Sequence, residues 1–179
     1  EYKSNKSTHV NLTNHSYWNL EKNKKNMIYN HELKLNSSKY LQINKNLIPT
    51  GRFKNVKKTI NDFLNFENIG KKLNYFKTKN LNIKFKGFDT TFVVKRNNRN
   101  YVGTLKNNNT NIQVDFFSNL PGVQLYSAQN LNYKKKLFPY QGICLETQYF
   151  PDAPNKKNFP STLIKPNKRY TCFTKIKIN

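Results

Sequence analysis

Short runs in which apolar and polar residues alternate recur along the chain, and turn residues separate them. Such alternation is typical of β-strands with one buried face, and clusters of Pro, Gly, Asn and Ser mark the turns between strands. The runs are 31–43 (with a turn at Ser37-Ser38), 91–94, 101–106, 111–117, 123–126, 142–150 and 169–178. This spacing predicts an all-β fold, a sandwich of antiparallel sheets.

Two further segments are less regular. Residues 10–13 alternate and predict a strand that breaks into a polar turn around His15. Residues 59–73 carry apolar side chains at mixed spacing, which fits either a short helix or a loop, and we favour a loop with one helical turn. Because the 179 residues contain no linker-like stretch, we expect a single domain, 1–179.

The chain is strongly basic, with a formal net charge of +23. Such a charge is typical of proteins that bind nucleic acids or anionic membranes. The lysines are dispersed, however, and the longest run is Lys134-Lys135-Lys136. Asparagine is also abundant, so we favour compositional enrichment and expect no specific nucleic-acid partner. Weak binding of polyanions at low salt follows under either interpretation.

The two cysteines, Cys144 and Cys172, lie far apart and form no CxxC motif, so no zinc site is predicted. Reduced thiols in a cytoplasmic protein are the expectation, although the sequence leaves a single disulfide open. No apolar run approaches the roughly 20 residues of a membrane span, so no membrane partner is expected.

The strand predicted at 142–150 carries an unusual carboxylate. Cys144, Glu146 and Gln148 share one face, while the other face is largely apolar. Only nine residues of the chain are acidic, and Glu146 has the most apolar surroundings among them. Burial raises the proton affinity of a carboxylate, so Glu146 is a candidate general base, and a structural glutamate on an edge strand is the alternative.

Several stretches resemble the aldose 1-epimerase (galactose mutarotase) family, in the family's order and with similar spacing. They are 11–20 (Asn-Leu-Thr-Asn-His-Ser-Tyr-Trp-Asn-Leu), 47–51 (Leu-Ile-Pro-Thr-Gly), 87–89 (Gly-Phe-Asp), 121–126 (Pro-Gly-Val-Gln-Leu-Tyr), 145–155 (from Leu-Glu-Thr-Gln) and 159–170 (from Phe-Pro-Ser). The resemblance covers nearly all of the chain. It implies a large antiparallel β-sandwich, the galactose mutarotase-like supersandwich, with a sugar site on one sheet.

The resemblance also implies roles for individual residues. His15 corresponds to the general acid and Glu146 to the general base of a cofactor-independent isomerase that interconverts the α and β anomers of aldohexoses such as galactose or glucose. Asp89 and Gln124 correspond to residues that hold sugar hydroxyls. Ser16 and Tyr17 flank the acid and are expected to contact the sugar, the only partner that the resemblance implies.

The chain departs from the family pattern in three places. Thr90-Thr91 stands where the family has His-Asn, Phe88 replaces a tyrosine, and Asn167 replaces a glycine, which asparagine tolerates at positive φ. The family also carries a second histidine and an arginine in an N-terminal half. We therefore expect the supersandwich to be incomplete at its N-terminus, in a fragment or a truncated product, and an inactive carbohydrate-binding relative is the alternative function.

Overall fold

The computed structural model describes residues 1–78, 86–134 and 136–179. In this part of the chain the strands are β1 (Thr8–His9), β2 (His31–Leu35), β3 (Lys39–Ile43), β4 (Pro49–Asn55), β5 (Glu67–Asn68), β6 (Asp89–Val93), β7 (Tyr101–Asn107), β8 (Ile112–Ser118), β9 (Gly122–Tyr126), β10 (Cys144–Gln148), β11 (Leu163–Ile164) and β12 (Thr174–Ile178). The α-helix is α1 (Ile69–Thr78), and short 3₁₀ helices span Ile28–Asn30 and Ala153–Asn155.

Two five-stranded sheets dominate the architecture. Sheet A has the strand order β10-β9-β6-β3-β4, and sheet B has the order β12-β8-β7-β2-β5. The short strands β1 and β11 form a separate pair, and every described pairing between strands is antiparallel. The prediction of an all-β sandwich of antiparallel sheets is confirmed.

The main hydrophobic core draws side chains from both five-stranded sheets. Sheet A contributes Phe92, Leu125 and Leu145, and sheet B contributes Leu105 and Phe116 among others. Because side chains alternate along a strand, the other face of β6, β9 and β10 is free to carry polar groups. This alternation determines where a functional site can form on sheet A.

The prediction of a loop with one helical turn at 59–73 is wrong, because a ten-residue helix begins within this segment at Ile69. The Asn68 side chain accepts a hydrogen bond from the Lys71 N–H at 2.8 Å and so caps the first turn. Ile69 and Leu73 are fully buried, four residues apart on one helical face. Burial against the core thus selects a helix where the local spacing was ambiguous.

Two strand boundaries also differ from the sequence expectation. The predicted strand at 10–13 is absent from the described structure, where β1 ends at His9. Instead, the Thr13 side chain contacts Thr147 on β10, and the Asn11 side chain contacts Tyr149 just after it. The closing strand was predicted over 169–178, whereas β12 begins at Thr174. Alternation alone cannot distinguish a paired strand from an extended segment without a neighbouring strand.

Several turns predicted from the sequence are confirmed. The strands β2 and β3 flank Ser37-Ser38, and β7 and β8 form the predicted hairpin. Gly51 has φ of 85° and Asn167 has φ of 57°, so both take the positive φ that the sequence allowed. Beyond β10, Phe150 packs with Leu41 and Phe159 in a second apolar cluster, which fixes the turn that follows this strand.

Candidate functional site

Three neighbouring strands of sheet A align their polar side chains on the face opposite the core. Glu146 on β10 lies directly across from Gln124 on β9, and Gln124 lies across from Thr91 on β6. One step along the strands, Cys144, Tyr126 and Asp89 form a second row in the same way. Because both rows share one face, six functional groups from distant parts of the sequence converge on one surface.

His15 approaches this surface from the segment that precedes β2. Its Nε2 atom lies 3.5 Å from Glu146 Oε1, and its Nδ1 atom lies 3.6 Å from Cys144 Sγ. The imidazole side chain is 51% exposed, whereas the Glu146 side chain is only 9% exposed. An imidazole that solvent reaches therefore lies against a carboxylate that is mostly removed from water.

The environment of Glu146 raises the pKa of its carboxyl group. Burial is the main cause, the nearby Asp89 carboxylate adds to it, and His15 acts in the opposite direction. A carboxylate with a raised pKa binds a proton more readily than an exposed glutamate does. A raised proton affinity is a property of carboxylates that act as general bases.

Asp89, Gln124 and Thr91 form a hydrogen-bonded chain beside this pair. Gln124 Nε2 donates to Asp89 Oδ1 at 2.5 Å, and the Thr91 hydroxyl donates to Gln124 Oε1. The two bonds fix the orientation of the Gln124 amide. Burial raises the pKa of Asp89, while the bond from Gln124 lowers it. The Asp89 and Gln124 side chains thus offer an oriented acceptor and an oriented amide to a polyhydroxylated ligand.

Aromatic rings border the pair on one side. The Tyr17 ring stacks on the His15 imidazole with centroids 5.1 Å apart, and the Tyr126 ring meets both of them edge-on at 6.4 Å. Burial is the main factor that raises the pKa of both tyrosines. Both phenols consequently stay neutral and can donate hydrogen bonds as well as accept them.

Cys144 is the third group in contact with the imidazole. Burial, with the Glu146 charge adding to it, raises the pKa of this thiol to about 12, so it is not a thiolate nucleophile at neutral pH. His15, Cys144 and Glu146 place one ligand atom each within 4.8 Å of one another. This spacing is short enough for one cation to contact all three atoms, although such binding would require the Cys144 thiol to lose its proton.

Most residues selected from the sequence lie together on this surface. His15, Tyr17, Asp89, Gln124 and Glu146 surround one area of sheet A. Ser16 is half-buried beside them, and its described hydrogen bond is from its backbone N–H to Asn14 Oδ1 at 3.2 Å, not from its hydroxyl.

Sequence reasoning assigned no role to Thr91 or Tyr126, although each lies two residues from an expected site residue on the same strand. The period of two could have identified them, because residues i and i+2 share a face. The departures in this region have separate explanations. Phe88 is buried and packs edge-on against Phe63 at 5.3 Å, so it is a core residue, and Thr91 supplies the hydrogen bond to Gln124.

Known proteins resemble this chain over nearly all of its length. The profile of the family described as aldose 1-epimerase matches residues 1–177. A galactose mutarotase from Sus scrofa is 32% identical over 174 residues, which cover 93% of this chain and 49% of that protein. The galactose mutarotase of Homo sapiens is 33% identical with the same coverage. The chain thus spans about half the length of the curated relatives that it matches.

Solved structures show the same fold. An aldose epimerase homologue from C. elegans superposes with a TM-score of 0.78 at 21% identity, over 96% of this chain and 51% of that one. A galactose 1-epimerase from Lactobacillus acidophilus NCFM gives 0.75 at 23% identity, over 99% and 51%. Because the family profile matches nearly all of this chain, the chain belongs to the aldose 1-epimerase family.

Proposed function

We propose that this chain carries the general acid and the general base of an aldose 1-epimerase, with Glu146 as the base and His15 as the acid. The observation that carries the proposal is the 3.5 Å approach of His15 Nε2 to Glu146 Oε1 on a polar sheet face. The hydroxyl oxygen at C1 of an aldose and its ring oxygen are bonded to the same carbon. His15 and Glu146 are therefore close enough together to exchange protons with these two oxygens of one sugar.

The proposed reaction consists of two proton transfers and a bond rotation. The Glu146 carboxylate takes the proton from the C1 hydroxyl while protonated His15 gives a proton to the ring oxygen. The bond between C1 and the ring oxygen breaks, and C1 becomes an aldehyde carbon. After rotation about the C1–C2 bond, the ring oxygen attacks the other face of C1 and the protons return. Each positioned group typically contributes about 10²–10⁴-fold to the rate.

Asp89 and Gln124 are proposed to hold sugar hydroxyls next to the reacting carbon. The Thr91 hydroxyl fixes the amide of Gln124, so its contacts to a sugar are pre-organised. Tyr17 is proposed to contact the sugar with the edge of a ring that stacks on His15. Ser16 is proposed to contribute its hydroxyl, because it is adjacent to the acid in the sequence.

The proposals on cellular location and on partners rest on fewer observations. Among the described residues, no helix has both the length and the apolar character needed to cross a membrane. Cys144 and Cys172 are both free thiols, which supports a cytoplasmic location where thiols stay reduced. An aldose is the proposed partner, and the dispersed basic charge is proposed to carry no specific recognition of nucleic acid.

Polarimetry tests the function directly. Freshly dissolved α-D-galactose relaxes slowly to its anomeric equilibrium, and we expect the chain to accelerate this relaxation. Glu146→Gln should lose about 10²–10⁴-fold of that acceleration. Glu32→Gln is a matched control, because Glu32 lies on sheet B and pairs with Lys106 at 3.0 Å, far from the site strands. Full activity of Glu146→Gln would contradict the proposal, and sugar binding without acceleration would favour a non-catalytic relative.

A further inference from the structure

The segment that carries His15 runs along the outer edge of β10 without forming a ladder with it. Asn11 Nδ2 donates to the Tyr149 carbonyl at 3.1 Å, and Asn11 Oδ1 accepts from the Tyr149 N–H at 2.8 Å. The Thr13 hydroxyl donates to the Thr147 carbonyl at 3.0 Å. Side chains thus occupy the position that a neighbouring strand would take beside the last strand of sheet A.

A main-chain bridge closes the other end of the segment. Trp18 N–H donates to the Ile143 carbonyl at 2.8 Å, and Ile143 N–H donates to the Trp18 carbonyl at 2.9 Å. On the strand side, the bonded residues are 143, 147 and 149, which are separated by even numbers of positions. In an antiparallel sheet the peptide groups of such residues point to the same edge, here the edge away from β9. The Asn11 amide reproduces such a bridge with one side chain, because it offers one donor and one acceptor to a single residue.

His15 lies between these attachments. Residues 14–17, the His15 arch, lie between the Thr13 contact and the Trp18 bridge, and the imidazole contacts Glu146 and Cys144. Its side chain is 51% exposed, and beyond these two residues it contacts the rings of Tyr17 and Tyr126. None of these contacts joins the His15 main chain to β10, so the attachments at Thr13 and Trp18 set where its backbone lies.

We infer that Asn11 and Thr13 are positioning residues, which set the distance between His15 and Glu146 by attaching the His15 arch to the outer edge of β10. The inference rests on the proposed function for its catalytic meaning, but its geometric content is independent of turnover. Displacement of a catalytic group by about 1 Å can cost about 10²-fold in rate. Loss of either attachment is expected to lower kcat and to leave the contacts of Asp89 and Gln124 with the sugar unchanged.

Thr13→Val and Thr13→Ser form the first pair of test variants. Valine has nearly the same shape as threonine but no hydroxyl, whereas serine keeps the donor to the Thr147 carbonyl. We expect Thr13→Val to lower kcat by roughly 10–10²-fold with little change in KM, and Thr13→Ser to retain most of kcat. Thr50→Val is the matched control, because the Thr50 hydroxyl likewise donates to a main-chain carbonyl, that of Gln42, but on β4 at the far side of sheet A.

Asn11→Leu and Asn11→Asp form the second pair. Leucine removes both bonds to Tyr149, and aspartate keeps only the acceptor for the Tyr149 N–H. Activity should therefore fall in the order wild type, Asn11→Asp, Asn11→Leu. The inference is wrong if folded Asn11→Leu and Thr13→Val keep the wild-type kcat, or if Thr50→Val loses as much kcat as they do.

A titration separates this inference from the proposed function. His15 lowers the pKa of Glu146, so an imidazole that moves away should let that pKa rise. Carbon-detected NMR of labelled glutamate carboxyl groups measures this without turnover, and we expect an upward shift in Thr13→Val but not in Thr50→Val. An unchanged Glu146 titration in Thr13→Val overturns the inference even if the wild type shows no epimerase activity. A wild type without activity, by contrast, overturns only the proposed function.

Discussion

His15 Nε2 lies 3.5 Å from Glu146 Oε1, although the two residues come from opposite ends of the described chain. The contact exists because β10 carries Glu146 on the polar face of sheet A while the segment before β2 returns along the edge of that strand. The contact of this pair on the polar face of sheet A is the basis of each functional prediction below.

The acid side of the pH profile should report the environment of Glu146. Its pKa is raised, chiefly by burial, so the acid limb of kcat/KM should lie above the ordinary glutamate value of about 4.3. The Asp89 carboxylate also raises this pKa, so Asp89→Asn should shift the limb to lower pH. Initial rates between pH 4 and 8 measure both effects. A limb that stays in place or moves upward in Asp89→Asn would show that Asp89 does not act on Glu146.

Thr91 should matter for sugar binding more than for proton transfer. Thr91→Val keeps the shape of the side chain but removes the hydroxyl that fixes Gln124 Oε1. Since a hydrogen bond of this kind contributes about 1 kcal/mol, we expect KM to rise roughly fivefold with kcat nearly unchanged. Steady-state kinetics on galactose provide the measurement. An unaltered KM would mean that the Gln124 amide does not depend on Thr91 for its orientation.

His31 should make the stability of the fold depend on pH. The residue is fully buried, its Nε2 atom accepts a hydrogen bond from the Leu20 N–H at 2.7 Å, and burial lowers its pKa from 6.5 to about 4. The unfolded chain therefore binds more protons between these two values, and stability must rise with pH across that window. The full contribution, about 3 kcal/mol, is present above pH 6.5 and disappears as the pH falls toward 4.

Denaturant unfolding of His31→Gln tests this dependence. The variant should be less stable than the wild type at pH 7, because the packing around the buried ring changes. Its free energy of unfolding should, however, vary less between pH 6.5 and pH 4. The same slope in both proteins would assign the pH dependence to other groups.

Truncation of a buried side chain in the core behind the site should strongly lower the free energy of unfolding. Phe92 on β6 is fully buried between Phe63 and Tyr40, with ring centroids 6.1 and 6.4 Å away. Phe92→Ala should lower the free energy of unfolding by about 3–5 kcal/mol. Tyr75→Ala, at a side chain that is 43% exposed on α1, should change it by roughly 0.5 kcal/mol or less. Equal losses in the two variants would contradict the assignment of Phe92 to the core.

The sequence predicts well those features that depend on local alternation or on turn chemistry. The strand that carries Glu146, the hairpin of β7 and β8 and the positive φ of Gly51 all follow from such short-range patterns. Helix α1 was missed because its apolar face is recognisable only against the core that it contacts. Local spacing over 59–73 was compatible with either state.

The candidate site divides in a similar way. The resemblance to a known family named His15 and Glu146 but could not show that they are in contact. That contact depends on the Asn11 and Thr13 side chains, which replace a strand beside β10 and leave no periodic pattern in the sequence. Tyr126 was recoverable from its strand position, two residues after Gln124.

A double-mutant cycle on the rate of anomer interconversion tests the central claim most directly. His15→Asn and Glu146→Gln are compared, singly and together, with the wild type by polarimetry. If the two residues act as a pair on one sugar, each single variant should lose about 10²–10⁴-fold, and the double variant should lose little more than the worse single one. Losses that multiply in the double variant would show that the two residues act independently, and wild-type rates in either single variant would contradict the claim outright.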